Sequence, residues 1–193
     1  MQSSSYVYQW LISGLIFLIL LSFNRSVLAA DDFEPYQIQP GDVLEISVWR
    51  EPDLLRNVLV RPDGGISFPL VGDVQAAGKT VEELRELVTT RVAKYIPDPV
   101  ITISTQSLSG NKIYVIGKVL RPGEFPANRY MDVVQALSVS GGMNPFAAVN
   151  KIKILRREDG KLVSIPFRYG DIEKGENLEQ NIILKSGDVI LVP

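Results

Sequence analysis

The chain contains no cysteine and no histidine. That removes thiol nucleophiles, disulfides, Cys/His zinc sites, Ser–His triads and the usual near-neutral general base. Any chemistry would rest on carboxylates, Lys, Tyr or a carboxylate-bound metal. Charge of one sign is also scarce: the net charge is −2 over 193 residues, so nothing marks a nucleic-acid binder. No stretch resembles a phosphate-cradling GxxxxGK[ST] loop. A glycosidase needs two carboxylates facing each other across the scissile bond, and no such constellation is visible. Glu82-Glu83 is not one, because adjacent helical residues point in different directions. No catalytic residue, cofactor or metal ligand is assigned.

Long apolar runs are limited to the N-terminus. Trp10 to Phe23 is uncharged and short for a bilayer span. It is followed by Asn24-Arg25-Ser26-Val27-Leu28-Ala29-Ala30 and then Asp31-Asp32, small residues before an acidic start, as at a secretory cleavage region. Residues 1–30 are therefore expected to be a signal peptide, with cleavage after Ala29 or Ala30. No Lys or Arg precedes the apolar run, which is atypical, and an uncleaved anchor is the competing reading.

What remains has ordinary globular composition, 46% apolar and 22% charged. Val43–Trp49 reads as a strand with Leu44, Ile46 and Val48 on one face. Arg61-Pro62-Asp63-Gly64 carries β-turn chemistry, and Ile66–Leu70 reads as the returning strand. Thr80 and Glu83 have capping-box spacing. Val81, Leu84, Leu87, Val88, Val92 and Tyr95 then form an apolar stripe at helical period, ended by Pro97 and Pro99. Val100–Thr105 is another strand, and Gln106–Asn111 a polar hinge between two domains. Ile113–Val119 leads to Pro122-Gly123, which fits the centre of a type II turn. A helix over Met131–Ser140 stops at Gly141-Gly142. Lys151–Arg157 and Lys161–Phe167 flank a hairpin tip, and Ile182–Val192 closes the chain after a Ser186-Gly187-Asp188 bend. Hairpin, helix, hairpin, strand is the order of a β-grasp. Gln39-Pro40-Gly41-Asp42-Val43 has an echo in Lys185-Ser186-Gly187-Asp188-Val189, though a Gly-Asp turn before a strand is common.

Several segments admit two readings. Arg61–Gly64 reads first as a turn and second as a contact to saccharide or a neighbouring subunit. Trp49 and Tyr130 have faces suited to stacking on sugar rings, but core packing is the first expectation for Trp49. Arg156-Arg157-Glu158-Asp159 reads equally as an inter-subunit charge patch and a solvated hairpin tip.

An ordered set of short stretches carries a resemblance. In the first half they are Tyr36–Leu44 with Val48-Trp49, Val60–Ser67, Pro69–Val74, Gly78-Lys79-Thr80 with its helix, and Pro99-Val100-Ile101. In the second half they are Val115–Val119 with Pro122-Gly123, and Ala136-Leu137 before Ser140-Gly141-Gly142. The set resembles the outer-membrane polysaccharide export (OPX, Wza-like) family. The resemblance implies an α+β fold: a small mixed α/β polysaccharide export domain over 31–106, then a β-grasp SLBB (soluble ligand-binding β-grasp) domain over 111–193. It also implies a non-enzymatic role, in which subunits form periplasmic rings, a homo-oligomer, around a hydrated conduit for capsular polysaccharide or exopolysaccharide. The inner-membrane polysaccharide co-polymerase is the implied partner on one side. Lipoprotein members carry a lipid-modified Cys, absent here, and Wza-type members continue to a C-terminal pore-forming helix. A periplasmic, outer-membrane-associated ring with a separate outer-membrane β-barrel is therefore the expectation. Pro40, Gly41, Asp42, Arg61, Pro62, Asp63, Gly64, Pro122, Gly123, Gly141 and Gly142 are the matching motif positions, structural or in contact with subunit or saccharide. Two other classes compete: a monomeric periplasmic saccharide-binding module, and a polysaccharide lyase or hydrolase.

Overall fold

A computed structural model describes residues 34–158 and 160–193. The expected signal peptide lies outside the described residues, as does Asp159. Among the described residues no helix is long and apolar enough to cross a membrane.

The first half is built on a three-stranded antiparallel sheet in the order β2-β1-β5. Strand β1 (Val43–Val48) alternates as expected, with Leu44, Ile46 and Val48 facing the core. Strand β2 (Glu51–Leu59) is not legible as a strand. Pro52, Asp53 and Asn57 oppose β structure, and only Val58 in it is buried. It forms because backbone pairing to β1 holds it at a sheet edge, where a proline without an N–H is tolerated. The small hairpin of β3 (Gly65–Phe68) and β4 (Gly72–Gln75) covers the core from another side.

Helix α1 (Val81–Val92) begins as its sequence dictates. The Glu83 N–H donates to Thr80 Oγ1 (3.2 Å) and the Thr80 N–H donates to Glu83 Oε2 (2.8 Å). Leu84, Val88 and Val92 are fully buried, each apolar side chain contributing about 1.5–3 kcal/mol. The helix stops before the prolines. Ile96 donates to the Val92 carbonyl in a last turn and packs on the core, while Tyr95 lies beyond the helix and is 64% exposed, so it does not belong to the stripe. Strand β5 (Ile101–Ser107) runs further than expected, into the predicted hinge.

The second half is a five-stranded sheet in the order β7-β6-β10-β8-β9. Its members are β6 (Lys112–Gly117), β7 (Gly123–Pro126), β8 (Ile152–Glu158), β9 (Lys161–Phe167) and β10 (Val189–Val192). The central pair β6–β10 is parallel and every other pairing antiparallel. Helix α2 (Val133–Val139) supplies Val133, Ala136 and Leu137 to a core that includes Ile113, Val115, Ile154, Phe167 and Ile190. The α+β class with a β-grasp second half stands.

Two details differ. Gly123 sits in near-extended backbone (φ 159°) and pairs with Val115 inside β7, so Pro122-Gly123 is not the centre of a type II turn. The start of α2 is a second capping box, Asp132 with Gln135, and a short α3 (Tyr169–Glu173) follows β9 in polar sequence without helical periodicity. The stop at Gly141-Gly142 is as expected. Gly142 donates to the Leu137 carbonyl and Gly141 to that of Ser138, a Schellman closure with Gly141 at φ 84°.

Candidate functional site

The Pro40-Gly41-Asp42 turn delivers a carboxylate into the interior. Asp42 has no exposed surface. Its Oδ2 accepts from the Gln39 N–H (2.9 Å) and the Tyr36 hydroxyl (2.5 Å), and its Oδ1 accepts from the Gly110 N–H (3.0 Å). Burying a carboxylate is costly unless donors replace water, and these three do so. Gly41, at φ 95°, lets the turn close, and its N–H donates to Val60 O (2.8 Å). Burial, then the bond to Asp42, pushes the Tyr36 phenol well above its ordinary range.

The echo noted in the sequence is the same device built twice. Asp188 is 1% exposed, and its Oδ2 accepts from the Lys185 N–H (2.8 Å), as that of Asp42 does from Gln39. The backbone N–H of Asp188 donates to Lys185 O (3.1 Å), and that of Asp42 to Gln39 O (3.1 Å). Gly187, at φ 84°, donates to Lys112 O (2.8 Å), the counterpart of the Gly41 bond. The further partner differs: Arg156 grips Asp188 through Nε (3.0 Å to Oδ1) and Nη2 (2.6 Å to Oδ2). Arg156 is thus a buried ion-pair partner rather than part of a solvated tip or charge patch.

Both turns reach Gly110. Its N–H donates to Asp42, and its carbonyl accepts from Ser186 Oγ (3.0 Å). A Cβ added there would lie 2.3 Å from the Pro40 carbonyl oxygen, so the close approach requires glycine. The predicted polar hinge is a pinned joint. The sequence signal for its place is the polar stretch Gln106–Asn111, whereas nothing in the sequence marks Gly110 as its pivot or Arg156 as the partner of Asp188.

Beside the joint lies a cleft of about 540 Å3. Its polar lining is Thr105, Gln106, Ser107, Ser109, Lys112 and Asn128, with Leu108 and Pro126 as the apolar part. Lys112 Nζ pairs with Glu124 (2.9 Å), which raises the lysine's affinity for its proton. Sequence reading did not find this cleft, because its lining is contributed from short polar segments on both sides of the joint.

The remaining motif positions fall in two other places. Arg61-Pro62-Asp63-Gly64 is a β-turn, closed by the Gly64 N–H on Arg61 O (2.8 Å) with Gly64 at φ 81°. On it Arg61 bridges Asp63 (3.2 Å) and Asp73 (3.1 Å). A hydrogen bond from the Gly65 N–H, then Arg61, holds Asp63 below the usual carboxylate range, and bonds from Ser67 and Arg61 do the same for Asp73. Pro122-Gly123 and Gly141-Gly142 belong to one corner, where Arg121 donates to Ser140 O and Leu120 to Gly142 O. Trp49 is 70% exposed in the β1–β2 turn, against the expectation of core packing, and Tyr130 is 46% exposed. Among the described residues no acidic cluster is arranged to hold a metal ion.

Residues 30–106 match the family described as polysaccharide biosynthesis/export protein, and residues 111–192 match the SLBB domain. The chain belongs to the family of proteins in which a polysaccharide export domain is followed by an SLBB domain. It is 29% identical to the EPS I polysaccharide export outer membrane protein EpsA of Ralstonia solanacearum, over 81% of this chain and 52% of that protein. It is 26% identical to the capsule polysaccharide export protein BexD of Haemophilus influenzae, over 79% of this chain and 42% of that one. With the capsule polysaccharide export outer membrane protein CtrA of Neisseria meningitidis it shares 25% identity, over 78% and 42% respectively. The chain spans about half the length of the curated relatives it matches.

Proposed function

We propose that the chain is a non-enzymatic component of polysaccharide export, a periplasmic and outer-membrane-associated subunit that forms an oligomeric ring or conduit for capsular polysaccharide or exopolysaccharide. The carrying observation is the ordered match of both halves, 30–106 and 111–192, to an export domain and an SLBB domain, in common with relatives named for export. The division at the Gly110 joint, a cleavable leader over 1–30, an outer-membrane β-barrel and an inner-membrane polysaccharide co-polymerase belong to the same proposal. Self-assembly has support in the second sheet. One face is filled by α2; the other carries Tyr114, Ile116, Leu155, Val189 and Leu191, exposed or half-buried and adjacent in register. A contiguous apolar surface of this kind is characteristic of contact with another protein surface.

Native mass spectrometry after mild extraction from the envelope tests the reading, together with polymer release by a strain lacking the chain. A discrete ring-sized oligomer and loss of released polymer are expected. A monomer in every mild condition favours instead a saccharide-capture module, for which the polar cleft is the supporting feature.

A further inference from the structure

We infer that the cleft beside the Gly110 joint is a low-affinity site for an uncharged, hydroxyl-rich stretch of saccharide. This rests on the export reading and adds a location to it. Five residues with uncharged polar side chains line the cleft, Thr105, Gln106, Ser107, Ser109 and Asn128. Together they offer donors and acceptors, one hydroxyl hydrogen being already shared between Ser107 and Ser109 (2.6 Å), and vicinal sugar hydroxyls likewise both donate and accept. Leu108 and Pro126 give the apolar surface that a sugar's C–H face needs. The volume, about 540 Å3, is within the usual range of about 300–1,000 Å3 for small-ligand sites.

Charge decides the ligand class. The cation in the lining, Lys112, already has its charge offset by Glu124 at 2.9 Å, and that carboxylate repels an anionic sugar approaching the same place. A neutral saccharide leaves that pair intact. Pre-organisation comes from the joint, because Asp42 and Ser186 hold Gly110 from both sides and fix the segment that carries Leu108 and Ser109. The lining has no aromatic platform, so affinity is low. Low affinity is what a passing polymer needs: binding strong enough to enter and weak enough to leave.

Hydrogen-exchange mass spectrometry on the full chain, extracted as the native assembly, tests this. The probes are isomalto-oligosaccharides, which are neutral, and oligogalacturonate of matched length, which is acidic. The neutral probe is expected to slow exchange over 105–112 and 124–128 by about threefold or more at saturation, with little change elsewhere. The double variant Gln106→Ala/Asn128→Ala, at two exposed positions, is expected to raise the probe concentration needed for half of that protection roughly tenfold while leaving exchange in both cores unchanged. Absence of protection by the neutral probe, equal protection in the variant, or protection by oligogalacturonate alone would each overturn the assignment. Polymer release by the deletion strain separates the two readings. If deletion stops release and the cleft shows no protection, the cleft inference fails alone; if deletion leaves release unchanged, the export reading fails with it.

Discussion

Asp42 is a buried carboxylate whose neighbours are neutral donors, whereas Asp188 faces a guanidinium, and the two should respond differently to substitution. Asp42→Asn puts an amide N–H2 where one carboxylate oxygen accepted a bond. A loss of about 1–3 kcal/mol is expected, read as a lower urea midpoint at unchanged slope. Arg156→Met leaves Asp188 buried without its partner and should cost about 3–5 kcal/mol. Adding Asp188→Asn to that variant should recover part of the loss; no recovery would mean the pair is not the cause. Tyr36 gives a signed pH effect. Its folded phenol holds its proton more tightly than the unfolded one, so the unfolded chain loses that proton first, at about pH 10. Stability from this group is complete below that pH and falls as pH rises above it. Tyr36→Phe should flatten that alkaline decline in a comparison of denaturation at pH 9 and about 10.5; an unchanged slope would count against it. The Gly-Asp echo showed where the two aspartates lie, because a tight turn has a local signature. Their burial was not legible, since it depends on Gly110, Arg156 and Tyr36, which lie six to 68 positions away.

Elements whose cause is local could be read directly. Both ends of α1, the alternation of β1 and the glycine stop of α2 depend on residues within one turn or one strand. Leu84→Ala should cost about 2–5 kcal/mol and Thr80→Ala about 1 kcal/mol, with chemical denaturation resolving one from the other. Comparable losses at the two sites would mean that α1 is not anchored through Leu84. Elements whose cause is tertiary escaped. Strand β2 exists because β1 offers it a backbone partner, and the short α3 has no stripe of its own to announce it. Trp49 was misjudged for a related reason. Core packing is the first expectation for a large aromatic ring, but Trp49 follows inward-facing Val48 where the chain turns, with Arg50 at φ 65°, and the indole is left outside.

Among the described residues, two separate hydrophobic cores meet at Gly110, which is held from both sides. The Gly110→Ala variant would drive a methyl against the Pro40 carbonyl, so the joint must open to admit it. Calorimetry of the native chain is expected to show the halves melting together, and the variant to show two resolved transitions. A single, unshifted transition in both would show that the joint does not couple them. Ser186→Ala removes only one hydrogen bond, about 1 kcal/mol, and should shift the melt without splitting it.

The parallel pairing of β6 with β10 has a bearing on how the chain acquires its shape. Tyr114 and Val115 find their central neighbours only in Val189 and Ile190, and all of α2, β8 and β9 intervenes in the chain. The β6–β7 and β8–β9 hairpins can form locally, but closing so long a loop makes the central pairing a late event. An emerging chain therefore completes the first core well before the second, and stays partly unfolded until Val192 is free to pair.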